Sequence, residues 1–219
     1  MKWHDLFDPL RQGALKRRYL ANLRDVKAAF DEAGLPFFLN CGTLLGAYRD
    51  GRAVRRDWRD IDISIRNDDL TPTVERQVMD RLGRIGFSCR PNRGFENTRQ
   101  TRFDRGSNHI DVFRYAREGN FYFRYWSVFG DVPMIAPARY LERLDAIEYY
   151  GSTFGIPAHT EDFLTLFMGR DWRTPMRSKQ YSSRNVMRLR EHTARYEDYL
   201  AGRFDEALYL SRGFGWEQG

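Results

Sequence analysis

Between residues 40 and 63 the chain reads Asn40-Cys41-Gly42-Thr43-Leu44-Leu45-Gly46-Ala47-Tyr48-Arg49-Asp50-Gly51 and then, after a short interval, Asp60-Ile61-Asp62-Ile63. That order predicts a strand end, a glycine turn, a short helix and a second strand bearing two carboxylates. Ile61, Ile63 and Ile65 alternate with Asp62, Ser64 and Arg66, the period of a strand with one face in a core. Alternate residues share a face, so Asp60 and Asp62 stand roughly 6.5–7 Å apart on the side away from that core. Carboxylates so close repel unless a cation lies between them, and a magnesium-type ion is expected. The glycine turn suits the same ligand, because N–H groups left bare at a helix start favour phosphate oxygens. The segment therefore calls for a turn and helix packed beside the polar face of a strand, an arrangement fitted to a metal-bound polyphosphate.

The flanking sequence predicts an α+β fold. Leu20, Leu23, Val26 and Phe30 recur at helical spacing between Leu15 and Ala33, and Gly34 supplies the stop. Pro36 to Leu39 reads as a short apolar strand, and Thr73 to Arg84 as a helix closed by Gly86. Strand-like runs follow at Phe87–Arg90, Thr98–Phe103, His109–Tyr115 and Phe121–Val128, separated by turn signals. Thr160 is placed to cap a helix over Glu161–Met168, ended by Gly169, and a further helix is expected from Ser183 to Leu200. The expected architecture is a single domain over residues 1–219: a small mixed sheet with helices packed on one side. Residues 1–34 form an N-terminal helical segment and 176–219 a C-terminal helical extension.

Composition narrows the class. With 219 residues, 42% hydrophobic and 15% aromatic, the chain can bury a sizeable core and is too apolar for disorder. No apolar run approaches the ~20 residues of a membrane helix, and no signal-peptide pattern opens the sequence, so a soluble, cytoplasmic protein is expected. Cys41 and Cys89 are too few for a disulfide framework or a four-cysteine zinc site, and Cys41 reads as a packing residue. Of the 36 basic residues, 32 are arginine, whose planar fork suits phosphate. They are interleaved with acids rather than gathered in a stripe, so nucleic acid is not the expected partner despite a net charge of +6.

A third acid strengthens the metal reading. Asn108-His109-Ile110-Asp111-Val112-Phe113 places Asp111 on a neighbouring predicted strand, and three carboxylates from two adjacent strands can hold one or two divalent ions. With these blocks in order, the chain resembles the nucleotidyltransferase superfamily, and more closely the LicD/fukutin family of phosphotransferases. The family's Gly-Thr-Leu-Leu-Gly-Ala-x-Arg block falls at Gly42 to Arg49, its Asp-x-Asp strand at Asp60 and Asp62, and its Ile-Asp-aliphatic-Phe strand at Ile110 to Phe113. A later family-like stretch runs from Phe154 to Pro175. The sequence departs from the pattern at Arg55-Arg56-Asp57-Trp58-Arg59, where relatives often carry Pro-Trp and a run of acids. The resemblance implies a nucleotidyltransferase-like fold and transfer of a phosphorylated alcohol, such as phosphocholine or ribitol or glycerol phosphate, from a CDP-activated donor to a sugar hydroxyl of a glycan or glycolipid. It also implies Mg2+ or Mn2+ and release of CMP.

In that frame Asp60, Asp62 and Asp111 are the expected metal ligands and catalytic groups, Asp111 being the alternative general base. Gly42, Thr43, Arg49 and Arg102 are the expected donor-phosphate contacts, with Arg99 beside them. Arg49 is equally suited to pairing with Asp50 or Asp57 at the surface. Gly46 would let the helix approach a strand closely. His109 shares the face of Asp111 but reads as a structural histidine. The run Phe121-Tyr122-Phe123-Arg124-Tyr125-Trp126 reads as core and sheet surface, with a cation–π pocket for choline as the alternative. Two other readings compete: a nucleotidyltransferase using the same carboxylates to move a nucleoside monophosphate, and a basic binding module without catalysis.

Overall fold

Alternation along β2 (Asp60–Arg66) puts Ile61, Ile63 and Ile65 into the main core, where they are at most 4% exposed. The other elements assemble around this strand in a computed structural model that describes residues 9–54, 58–91, 100–126, 132–175 and 190–211. In chain order they are α1 (Pro9–Glu32), β1 (Phe38–Leu39), α2 (Cys41–Leu45), a wide π-helical turn Gly46–Asp50, β2, α3 (Pro72–Arg84), β3 (Ser88–Pro91), β4 (Thr101–Arg105) and β5 (Asn108–Glu118). There follow β6 (Phe121–Trp126), β7 (Val132–Pro137), α4 (Arg139–Glu142), β8 (Leu144–Tyr149), β9 (Ser152–Pro157), α5 (Thr160–Met168), α6 (190–200) and α7 (Glu206–Ser211).

The strands form one mixed sheet in the order β3-β4-β5-β2-β1-β9-β8. β2 and β5 run parallel, with Asp60 opposite His109 and Asp62 opposite Asp111. β1 is antiparallel to β2 and parallel to β9. The far end of β5 outruns β2 and pairs with β6, which pairs with β7. The mixed α+β architecture expected from the sequence is therefore present, with β7, β8 and β9 in addition to the strands the sequence marked.

Helices cover both faces of the sheet, not one. Phe37 meets Phe30 of α1 at 5.2 Å between ring centroids, whereas the next residue, Phe38, meets Phe163 of α5 at 6.4 Å. Successive strand residues point to opposite sides, so α1 and α5 lie on opposite faces. The physical reason is visible in Pro36-Phe37-Phe38-Leu39: an unbroken apolar run suits a strand buried on both sides. Only Phe38 and Leu39 of that run are paired as β1.

Helix ends follow local chemistry. α1 stops at Gly34, in a left-handed conformation, with Gly34 N–H donating to Asp31 and Leu35 N–H to Phe30. Thr71 caps α3 through the Val74 N–H, and Pro72 occupies its first turn. Thr160 does not cap α5: its hydroxyl donates to the Pro157 carbonyl at 2.5 Å, tying the helix to β9. Of the expected C-terminal extension, α6 and α7 are helical; residues 176–189 and 212–219 lie outside the described residues. Buried Arg195 of α6 donates to the Leu166 carbonyl of α5 and lies 5.1 Å from the Tyr209 ring. Among the described residues, no helix is long and apolar enough to cross a membrane.

Candidate active site

The parallel register of β2 and β5 sets Asp60, Asp62, His109 and Asp111 on one face, as two side-by-side pairs. Asp60, His109 and Asp111 each offer a ligand atom, all within 4.8 Å of one another. His109 Nε2 lies 3.1 Å from Asp60 Oδ1. That carboxylate raises the imidazole's pKa, against burial and the charge of Arg102. Asp111 is held above the usual carboxylate range by burial and by the charge of Asp60; His109, Gln100 and Arg102 pull it down. Its Oδ1 is buried with no hydrogen-bond partner among the described residues. Carboxylates and one imidazole form a hard oxygen-rich donor set, and an unpartnered buried oxygen inside it fits a divalent ion such as Mg2+ or Mn2+.

Asp62 sits more deeply, 8% exposed. Burial holds its carboxyl well above the usual range, as do the charges of Asp60 and Asp111; the Gly42 N–H and Arg124 act in the opposite sense. Its environment is built by Asn40 and the first residues of α2. Asn40 N–H donates to the Asp62 carbonyl at 3.1 Å, and the Asn40 side chain accepts from Cys41 N–H at 2.8 Å. Cys41 takes a left-handed conformation, φ 42°, that swings the chain back over β2. Gly42 N–H then donates to Asp62 Oδ2 at 3.0 Å, and Thr43 Oγ1 accepts the Asp62 N–H at 2.8 Å. Beneath lies Arg124, 2% exposed, stacked 4.1 Å from the Phe113 ring. Its Nε donates to the Tyr115 hydroxyl and its Nη2 to Cys41 Sγ. Burial pushes the Cys41 thiol up to about 12, which keeps it neutral and fits the packing role expected for it.

The family model described as LicD/FKTN/FKRP, nucleotidyltransferase domain, matches residues 34–159. The chain belongs to this LicD family. No curated protein matches the sequence. Among solved structures, the chain is similar to a crystal structure of ANT(2'')-Ia in complex with adenylyl-2''-tobramycin, with 14% identity and a TM-score of 0.48, covering 88% of this chain and 97% of that one. A solution structure of the antibiotic-resistance factor ANT(2'')-Ia gives 15% identity and a TM-score of 0.49, covering 85% and 95%. The family makes this chain a transferase of the phosphotransferase or nucleotidyltransferase type.

The structure of this LicD-family chain distributes the expected site residues unevenly. Asp60, Asp62 and Asp111 converge, but the group at ligand distance is completed by His109 rather than Asp62. Gly42 and Thr43 are engaged with Asp62, so the turn does not leave that N–H bare. A Cβ on Gly42 would stand 3.4 Å from Asp62 Oδ2, at van der Waals contact. Gly46 approaches a loop rather than a strand: a Cβ there would lie 2.5 Å from the Arg52 carbonyl oxygen. Arg49 makes the surface pair with Asp50 and also donates to the Trp172 carbonyl at 2.9 Å. Arg102 lies opposite Asp111 in register and pairs with Asp104 at 3.0 Å. Arg99 and residues 55–57 fall outside the described residues. In the divergent stretch Trp58 is buried, its carbonyl accepts from the Asn108 side chain, and the Arg59 carbonyl accepts from His109 N–H.

Sequence reasoning gave His109 a structural role and missed Asn40 and Arg124. His109's i, i+2 relation to Asp111 was the available signal. Nothing in Phe-Tyr-Phe-Arg-Tyr-Trp marks an arginine for burial; the run packs, with Tyr122 donating to Asp68 and Phe121 set against Tyr199 and Phe204.

Proposed function

We propose that this chain transfers a phosphorylated alcohol from a CDP-activated donor to a sugar hydroxyl of a glycan, releasing CMP. The observation that carries the reading is the convergence of Asp60, His109 and Asp111, with Asp62 behind them, on a LicD-family domain. Asp60, His109 and Asp111 would hold Mg2+ or Mn2+, which when bound neutralises donor phosphate charge. Asp62, fixed by Gly42 and Thr43, supplies the negative charge behind that position and sets the geometry of β2 against β5. Arg102, in register with Asp111, supplies a cation for the donor phosphates. Arg49, committed to Asp50 and Trp172, acts on the donor side only by holding the Gly46–Asp50 turn in place.

In the reaction the acceptor hydroxyl oxygen forms a bond to the transferred phosphorus as the bond to the CMP oxygen breaks. The hydroxyl proton passes to the carboxylate oxygen of Asp111 that the ion leaves free, and the CMP oxygen departs as a phosphate. The test is incubation with CDP-choline, CDP-ribitol and CDP-glycerol in Mg2+ or Mn2+, comparing wild type with Asp62→Asn. Equal CMP release from both would sink the assigned mechanism. Because the family model describes a nucleotidyltransferase domain, product analysis is included: pyrophosphate from a nucleoside triphosphate, in place of CMP, assigns nucleotidyl transfer.

A further inference from the structure

Across four neighbouring strands the register aligns two rows of side chains on the polar face. One runs Arg90, Arg102, Asp111, Asp62, and the next Ser88, Asp104, His109, Asp60. Register partners point to the same side of a sheet, so each row crosses the face from β3 to β2. The carboxylates and His109 occupy one end. At the other, two guanidiniums share one carboxylate: Arg102 Nε donates to Asp104 Oδ1 at 3.0 Å, and Arg90 Nε lies 3.0 Å from Asp104 Oδ2.

Both contacts use Nε, so the Nη nitrogens of Arg90 and Arg102 hold no hydrogen bond among the described residues. The side chain of Asp104 is 18% exposed, against 36% for Arg102 and 72% for Arg90. Asp104 is thus a splint beneath two forks open to solvent. Like charges directly opposed on neighbouring strands weaken a sheet; Asp104 bridges this pair and Asp111 faces Arg102 on its other side, so Arg90 carries the less compensated charge. Such a pair, in line with a phosphate-transfer site, has the form of an anion clamp.

We infer that Arg90 and Arg102, splinted by Asp104, form a second phosphate-binding subsite on the face that carries the carboxylates. The inference rests on the function proposed above. The two adjacent phosphates of a CDP-alcohol are accommodated at the carboxylates and Arg102. Arg90 lies two strands from Asp111, about 10 Å at the usual strand spacing. A third phosphate reaches it, from either of two sources: the end of a nucleoside triphosphate, or a phosphorylated acceptor.

The test is titration calorimetry of the full chain in Mg2+ with pyrophosphate and with tripolyphosphate. Wild type binds tripolyphosphate more tightly, and Arg90→Ala lowers the ratio of the two association constants about tenfold. Arg90→Lys restores only part of it, since the fork is lost. Two further pairs identify the source: CTP against CDP, and glucose 6-phosphate against glucose with CDP present. An Arg90-dependent preference in the first pair assigns the phosphate to the donor, and in the second to the acceptor. Ratios unchanged by Arg90→Ala in all three pairs overturn the subsite while leaving the proposed function standing. A wild type that binds neither pyrophosphate nor CDP in Mg2+ overturns the proposed function and the subsite together.

Discussion

Neutralising Asp62 by Asp62→Asn separates the demands of stability from those of chemistry. Asp60 is two residues away on the same strand, roughly 7 Å, and Asp111 is directly across the parallel pair, roughly 5 Å. At an effective dielectric of about 20, those repulsions amount to about 2 and 3 kcal/mol. Burial adds to the cost of that charge, while the Gly42 N–H and Arg124 return a smaller part of it. An asparagine oxygen keeps the Gly42 N–H partner but loses its charge assistance, about 1 kcal/mol. The balance is a gain in metal-free protein, on the order of 1 kcal/mol or more, each kcal/mol being worth about 2–4 °C in Tm for a chain of this length. The sign of the pH dependence follows from the raised carboxyl. A folded-state pKa above the unfolded value contributes stability that is complete below the unfolded pKa and is lost as pH rises through the folded one. Metal-free wild type therefore weakens as pH rises from acid, and the advantage of Asp62→Asn widens with it. Mg2+ narrows the difference: at about 100 times Kd the wild type gains about 2.7 kcal/mol, and the variant, lacking the negative charge behind the ligand group, gains less. Thermal melts in EDTA and in Mg2+, from mildly acidic to mildly alkaline pH, read all three effects. A variant that melts below wild type in EDTA at every pH, or responds equally to Mg2+, refutes the electrostatic reasoning.

Thr43→Val leaves the buried Asp62 N–H without its acceptor and lowers stability by about 1–3 kcal/mol in denaturant titrations, with metal present or absent. Gly46→Ala pushes a methyl against the Arg52 carbonyl and the Val54 N–H; a loss of about 1–3 kcal/mol is expected, and an unchanged denaturation midpoint would contradict the close approach. His109→Gln removes the nitrogen from the ligand group and weakens Mn2+ binding about tenfold or more, measured by titrating free Mn2+ with electron paramagnetic resonance; equal affinity would return His109 to a structural role.

How much of this was legible in the sequence varies with the range of the interaction. The carboxylate face was fully readable because alternation is a local property: Asp60, Asp62 and Asp111 had to point away from Ile61, Ile63 and Ile110. That the Asp111 strand lies beside β2 was expected, but its parallel direction and register were not, since nothing local to either strand sets them. α3 and α5 were placed to within a residue or two by their end signals. By contrast β8 and β9 are joined at Tyr150-Gly151 and lack a clean period: Gly155 sits mid-strand, where a Cβ would stand 2.6 Å from the Phe37 carbonyl oxygen. The glycine turn misled in detail. The left-handed residue is Cys41, while the Gly42 N–H serves Asp62, a contact between residues twenty apart that a propensity argument does not reach.

The abundance of arginine takes on a meaning at this site that composition alone did not have. Two arginines bear on the carboxylates from different depths, Arg102 on the open face and Arg124 beneath it. A lysine at 124, buried to 2% without a carboxylate in direct contact, would shed its proton, because burial disfavours its charged form. A guanidinium stays charged there, stacked on Phe113 and bonded to Tyr115 and Cys41. The second of these bonds runs to the side chain of Cys41, the residue whose left-handed turn delivers the Gly42 N–H to Asp62. Arg124 therefore offsets the charge of the cluster and fixes the backbone that shapes it, so the deepest cation of the site is tied to the same turn that most constrained the fold.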